Sequence, residues 1–198
     1  KSLDIIKNFN EIVGGDSGFV NVGAMFIVPL SEMTAFSRNI TMQQSLGIKT
    51  RIIDCAEARE IAPNIEVNEL EGICYEPLSG YADPTGVAQG YAYAARNFGA
   101  EISLENPALS LDIKSDKLVA VETLNGRIET DTVVLATGPW SGGFVHNLGI
   151  ELPLFATRHE VIFLKRSLEV VPSHPVIGDL VTMSYLRPES PDLTLIGD

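Results

Sequence analysis

The 198 residues suffice for one sizeable core or two small domains sharing an interface, and 45% hydrophobic against 20% charged residues place the chain among ordinary globular proteins. Twenty-six acidic residues against 14 basic ones leave a net charge of -12, which repels phosphate backbones and anionic lipid and argues against nucleic acid or membrane surfaces as partners. No apolar run approaches the roughly 20 residues that span a bilayer, and the amino terminus carries no basic-plus-apolar signal pattern.

Leu3, Ile6, Phe9 and Val13 recur at helical spacing before Gly14-Gly15, which predicts one helix over 2–13. Phe19 to Val28 reads as a strand ended by Pro29, with Gly23 marking a bulge or close packing. Ser31 stands where a cap belongs for a helix carrying Met33, Phe36, Ile40 and Leu46 and closed by Gly47. Arg51 to Ile53 is a short strand, and Asp54 with Glu57 opens a helix that Pro63 ends. Asp83 as cap and Pro84 at the first helical position start the cleanest helix, whose Val87, Ala88, Tyr91, Ala94, Ala95 and Phe98 share a side.

Beyond Gly99 a strand is predicted over 100–104, then an antiparallel meander: Leu109, Leu111 and Ile113 alternate, 118–123 is extended, and Asn125-Gly126 signals a hairpin. The run Val133-Val134-Leu135-Ala136 reads as a buried parallel strand breaking at Gly138-Pro139 into a helix over 140–148. Ligands of such sheets bind at strand carboxyl ends, so exposed amides around Gly138 suit a dinucleotide, although an ordinary strand-to-helix turn fits the same residues. The tail is β-rich, with strands expected at 161–164, 176–177, 181–186 and 193–196.

No Gly-rich phosphate fingerprint, Walker loop, zinc spacing or kinase signature occurs. His146, His159 and His174 lack partners at ligand spacing, so no metal site is expected. Ser141 lacks the first glycine of a serine-hydrolase elbow. Cys55 and Cys74 are isolated thiols that fit a reducing cytoplasm. The chain opens on Lys1 and stops inside an apolar run, which reads as an internal piece of a longer protein.

Phe9-Asn10-Glu11, Gly23, Phe26, Gly47-Ile48, Glu57-Ala58 and Ala62-Pro63, followed by Gly80-Tyr81-Ala82-Asp83-Pro84, Gly99-Ala100-Glu101-Ile102, Asn125-Gly126 and Val133 to Ser141, stand in one order over nearly the whole chain. In that order and spacing the sequence resembles D-amino-acid-oxidase-type flavoproteins, especially glycine oxidase and the sarcosine oxidase β-like dehydrogenases. The resemblance implies an α/β (α+β) fold: part of an FAD-binding dinucleotide-type domain over 79–150, and part of a substrate domain with a mixed or antiparallel sheet over 1–78 and 151–198.

It further implies that Ala108 lends its backbone to the adenine of FAD and that the Ala136-Thr137-Gly138 turn, flanked by Trp140, passes the adenosine and pyrophosphate half. Trp140 serves equally as a core anchor for its helix. Tyr185 is similar in place to a tyrosine lining the amine pocket, a catalytic and substrate-binding position in this reading, or else a half-exposed edge residue. Arg187 is a candidate carboxylate partner, with Arg158, next to His159, as an alternative. The family's amino-terminal Gly-x-Gly-x-x-Gly and its carboxyl-terminal segment are absent, and Pro84 stands where some relatives attach flavin to histidine.

The implied parent is an FAD-dependent oxidase or dehydrogenase that takes a hydride from a small amino acid or N-methyl amino acid, with a homo- or hetero-oligomeric state left open. The fragment alone is expected to be inactive. The competing reading is a catalytically inert structural or interaction piece of a hetero-oligomeric dehydrogenase.

Overall fold

The computed structural model describes residues 1–67, 71–167, 169, 171, 173–189 and 191–198. Two compact units result, Lys1–Phe98 with His159–Asp198, and Gly99–Arg158.

The first unit is built on a seven-stranded mixed sheet: β1 (Ala24–Pro29), β2 (Arg51–Ile53), β3 (Glu71–Glu76), and, from the second unit's numbering onward, β7 (Val161–Lys165), β8 (Val176–Asp179), β9 (Ser184–Glu189) and β10 (Leu193–Gly197), in the spatial order β2-β3-β1-β8-β9-β10-β7. The second unit supplies β4 (Ala108–Lys114), β5 (Lys117–Thr123) and β6 (Gly126–Glu129) as a three-stranded meander.

Strand β1 is an interior strand, antiparallel to β3 and parallel to β8. Met25 and Ile27 point into a core with Ile53, Ile73 and Ile177, under Ala58 of a helix over Cys55–Ile61. Met25 and Ile73 are almost wholly inaccessible, and burying each such side chain stabilises by about 1.5–3 kcal/mol. That helix, α4, follows α1 (Ser2–Lys7), α2 (Phe9–Ile12) and α3 (Met33–Ser45). The Asp54 carboxylate accepts from the Glu57 amide at 2.8 Å, the expected cap. Helix α5 (Pro84–Asn97) is capped as its sequence predicts, Asp83 accepting from the Thr85 and Gly86 amides at 3.0 Å each.

Several expectations need correction. Asn8 breaks the single helix over 2–13 into α1 and α2. The first strand begins at Ala24, and only an isolated bridge between Val20 and Tyr81 precedes it. Ser31 lies in a 3₁₀ turn and caps nothing. Strand β9 starts at Ser184, since residues 181–183 form a turn in which Asp179 accepts from the Val181 and Thr182 amides. The meander is as expected, except that its second turn is Leu124-Asn125 and Gly126 already belongs to β6. Its first turn, Ser115-Asp116, has φ of 51° and 61°, the primed geometry that matches strand twist.

The larger departures are the runs over 100–104 and 133–136, both expected as strands. Neither joins a sheet among the described residues, and Val134 is 86% exposed. A doubly covered strand exists only between neighbouring strands, and the described residues provide none beside these runs. The helix expected over 140–148 is a 3₁₀ turn, Gly138–Trp140, followed by α6 (Ser141–His146).

Candidate active site

Residues directly opposite one another on paired strands share a face of the sheet. One such row crosses all seven strands: Ile52, Cys74, Phe26, Gly178, Tyr185, Gly197 and Val161. The glycines in it make room for rings. A Cβ on Gly178 would lie 2.8 Å from Cδ1 of Phe26, and one on Gly197 would lie 2.6 Å from the Tyr185 hydroxyl oxygen. Phe26 and Tyr185 therefore each lie across a neighbouring strand rather than standing upright, and Tyr185 keeps 38% of its surface open. Burial pushes the Cys74 thiol above its ordinary value, against hydrogen bonding with Thr50.

Two residues further along β9, on the same face, comes Arg187. Alternation puts Tyr185 and Arg187 on one side, their backbone positions about 7 Å apart along the strand. The guanidinium lies 4.8 Å from the centre of the Tyr81 ring, and its Nη2 donates to Oε2 of Glu189 at 2.7 Å. A phenol and a guanidinium on one face of a sheet offer donors to a carboxylate, the guanidinium through charge-assisted hydrogen bonds. Sequence reasoning placed Tyr185 and Arg187 together and missed Tyr81 and Glu189. Glu189 lies beyond the strand expected to end at Leu186, on a β9 that runs to Glu189, whereas Tyr81 comes from a distant turn.

The opposite face is different in kind. A cavity of about 510 Å³ lies there among Ile27, Ile65, Leu164, Ile177, Leu186 and His174. His174 bridges Thr194 and the Pro175 carbonyl. Since a carbonyl only accepts, Nδ1 carries a proton, and in the neutral imidazole Nε2 then accepts from the Thr194 hydroxyl. Burial holds the His174 pKa below its ordinary value, with the nearby Arg166 charge acting the same way and the Pro175 hydrogen bond opposing.

The unfolded chain thus binds the proton more readily than the native one, and stability rises with pH. The contribution is complete above the unfolded imidazole value of about 6.5 and is lost as the pH falls through the lower folded value. In urea titrations between pH 7.5 and 5, His174→Asn is expected to flatten this acid slope. An unchanged slope would show that His174 does not carry it.

In the second unit, Ala108 heads β4 and is exposed, as are Ala136, Thr137 and Gly138. Thr137 Oγ1 and Ser141 Oγ are 2.9 Å apart. Gly138 has φ of 55°, and no atom lies within 4 Å of where its Cβ would be. Trp140 is 76% exposed, so it anchors no core among the described residues. Arg158 is exposed, and His159 Nδ1 lies 2.7 Å from the carbonyl of Asp198. No group of three or more metal-binding side chains occurs among the described residues, nor is any helix there long and apolar enough to cross a membrane.

The model of the DAO family, FAD dependent oxidoreductase, matches residues 1–198. Human mitochondrial sarcosine dehydrogenase is 26% identical over 199 residues, covering 98% of this chain and 22% of that protein. Glycine oxidase of Geobacillus kaustophilus is 25% identical over 198 residues, covering 98% of this chain and 50% of that one. Among solved structures, L-proline dehydrogenase from P. horikoshii superposes with a TM-score of 0.82 at 25% identity, covering 99% of this chain and 52% of that one. The chain thus spans between about a fifth and a half of the length of these relatives.

Proposed function

The chain belongs to the DAO family of FAD-dependent oxidoreductases, and on that premise we propose that the whole protein oxidises the C–N bond of a small amino acid or N-methyl amino acid. Relatives named for sarcosine, glycine and L-proline support this substrate class. The observation that carries it is the pairing of Tyr185 with Arg187 on one open sheet face. A guanidinium grips the α-carboxylate in its own plane, while the phenol hydroxyl donates to the same group or orders the amine end, so that the α-carbon is held in one orientation.

The residues present fit the cofactor. At Gly138 the left-handed turn and the empty Cβ position leave the main chain approachable, as a nucleotide phosphate or ribose requires. Ala108, Ala136, Thr137, Gly138 and Trp140 are the residues of this chain that would hold it. In this reading 79–150 belong to the cofactor domain, and 1–78 with 151–198 to the substrate domain. FAD, when bound, supplies the hydride acceptor. The chain's own part is to bind the carboxylate and fix the α-carbon; the imine product then hydrolyses in solvent.

The test is the visible spectrum of the full-length protein. Flavin bands bleached anaerobically by sarcosine, glycine or proline are expected, and a colourless protein would overturn the reading. Tyr185→Phe removes one hydrogen bond worth about 0.5–1.5 kcal/mol, so KM should rise about two- to tenfold. Unchanged kinetics would take Tyr185 out of the site.

A further inference from the structure

Arg187 has two partners. Its guanidinium carbon lies over the Tyr81 ring, 4.8 Å from the ring centre, and a cation drawn to a ring face by the ring's quadrupole needs no hydrogen bond that would use up a donor. Glu189 takes one N–H of Nη2. Because Nη2 has a second N–H, a two-point edge remains for a further carboxylate whichever proton Glu189 accepts. A guanidinium free to rotate would lose that edge much of the time, since bidentate binding depends on the orientation of the plane.

The platform itself is fixed. Tyr81 and Val20 exchange backbone hydrogen bonds at 2.8 and 3.2 Å. The Asn21 side chain donates to the carbonyls of both Pro77 and Ser79 at 2.8 Å, and the Asp83 amide donates to Ser17 at 2.8 Å. The turn carrying the ring is therefore pinned at both ends, so the backbone from which the ring projects is set when the chain folds rather than when a ligand arrives.

We propose that Tyr81 is a positioning residue for carboxylate recognition: its ring sets the plane of Arg187, which presents its unoccupied edge to the substrate. This rests on the reading of Arg187 as the carboxylate ligand, so the experiment separates the two. In the full-length protein, acetate serves as a competitive inhibitor that has the carboxylate and lacks the amine, and its binding is also measured by calorimetry. Tyr81→Leu is expected to raise both the acetate Ki and the amino acid KM about fivefold, with kcat nearly unchanged. Tyr81→Phe, which keeps the ring, should restore both.

Should leucine unfold the turn, phenylalanines with one, two and three ring fluorines at position 81 keep the shape and progressively weaken the ring's attraction for a cation, and Ki should climb along the series. A flat series, or equal loss in the leucine and phenylalanine variants, overturns the role of Tyr81. If Arg187→Met leaves acetate binding unchanged, the carboxylate reading of the site itself is overturned, and the inference with it. If Arg187→Met abolishes binding while Tyr81→Leu matches the parent, Tyr81 alone is excluded.

Discussion

Replacing Arg187 by leucine is expected, on the proposed function, to raise KM for an amino acid substrate about 30- to 150-fold, the equivalent of about 2–3 kcal/mol for a lost charge-assisted hydrogen-bonded pair. Only a quarter of the side chain is accessible, so water replaces it poorly and the loss stands near the top of the range for such contacts. Lysine should recover only part, because an ammonium is a point charge without the planar fork. Glu189, left without its partner, is 30% exposed and hydrates at small cost, so the fold should survive. Circular dichroism would verify the fold, and steady-state kinetics the KM; a change under twofold would remove Arg187 from recognition.

The second large effect concerns stability. Phe9→Ala is expected to lower it by about 3–5 kcal/mol, which for a chain of this size corresponds to a fall in Tm of about 6–20 °C. Phe9 is 2% exposed and meets Tyr91 edge-on, with ring centres 5.3 Å apart and planes at 90°. It also fills the space above Gly90, where an added Cβ would collide with its ring. Gly90→Ala should therefore cost less in the Phe9→Ala background than alone, a coupling that a double-mutant cycle in urea reads directly. Additive values would show that the two positions do not share that space.

How far the sequence foretells the molecule depends on the range of the forces involved. Asp54, Asp83 and Pro84 act within one helical turn, and their helices begin where those residues place them. The meander is set by alternation and by two tight turns, which are equally local. Tyr185 and Arg187 share a face through the strand's period of two, but the strand expected over 181–186 stops short of Arg187, and only the observed extension of β9 to Glu189 puts both on it.

Strand β3 escaped notice because Glu71-Gly72-Ile73-Cys74-Tyr75-Glu76 is short and glycine-interrupted, yet β1 and β2 flank it on both sides. The opposite error befell 100–104 and 133–136. Their apolar composition is that of covered strands, but composition does not provide the neighbouring strand that pairing requires. Tyr81 stands in a turn motif, and its contact with Arg187 has no local signal, since no local rule links a turn to a strand so distant in the chain.

The tilted rings over Gly178 and Gly197 have a bearing on how specificity can drift. The floor of the open face is shaped by what the glycines leave out as much as by the aromatic groups themselves. A single methyl group introduced at Gly197 would lift the phenol away from its neighbouring strand and re-aim its hydroxyl, while every chemical function on the surface stayed the same. On the proposed function, selectivity is thus open to tuning from beneath, at glycines that carry no functional group of their own.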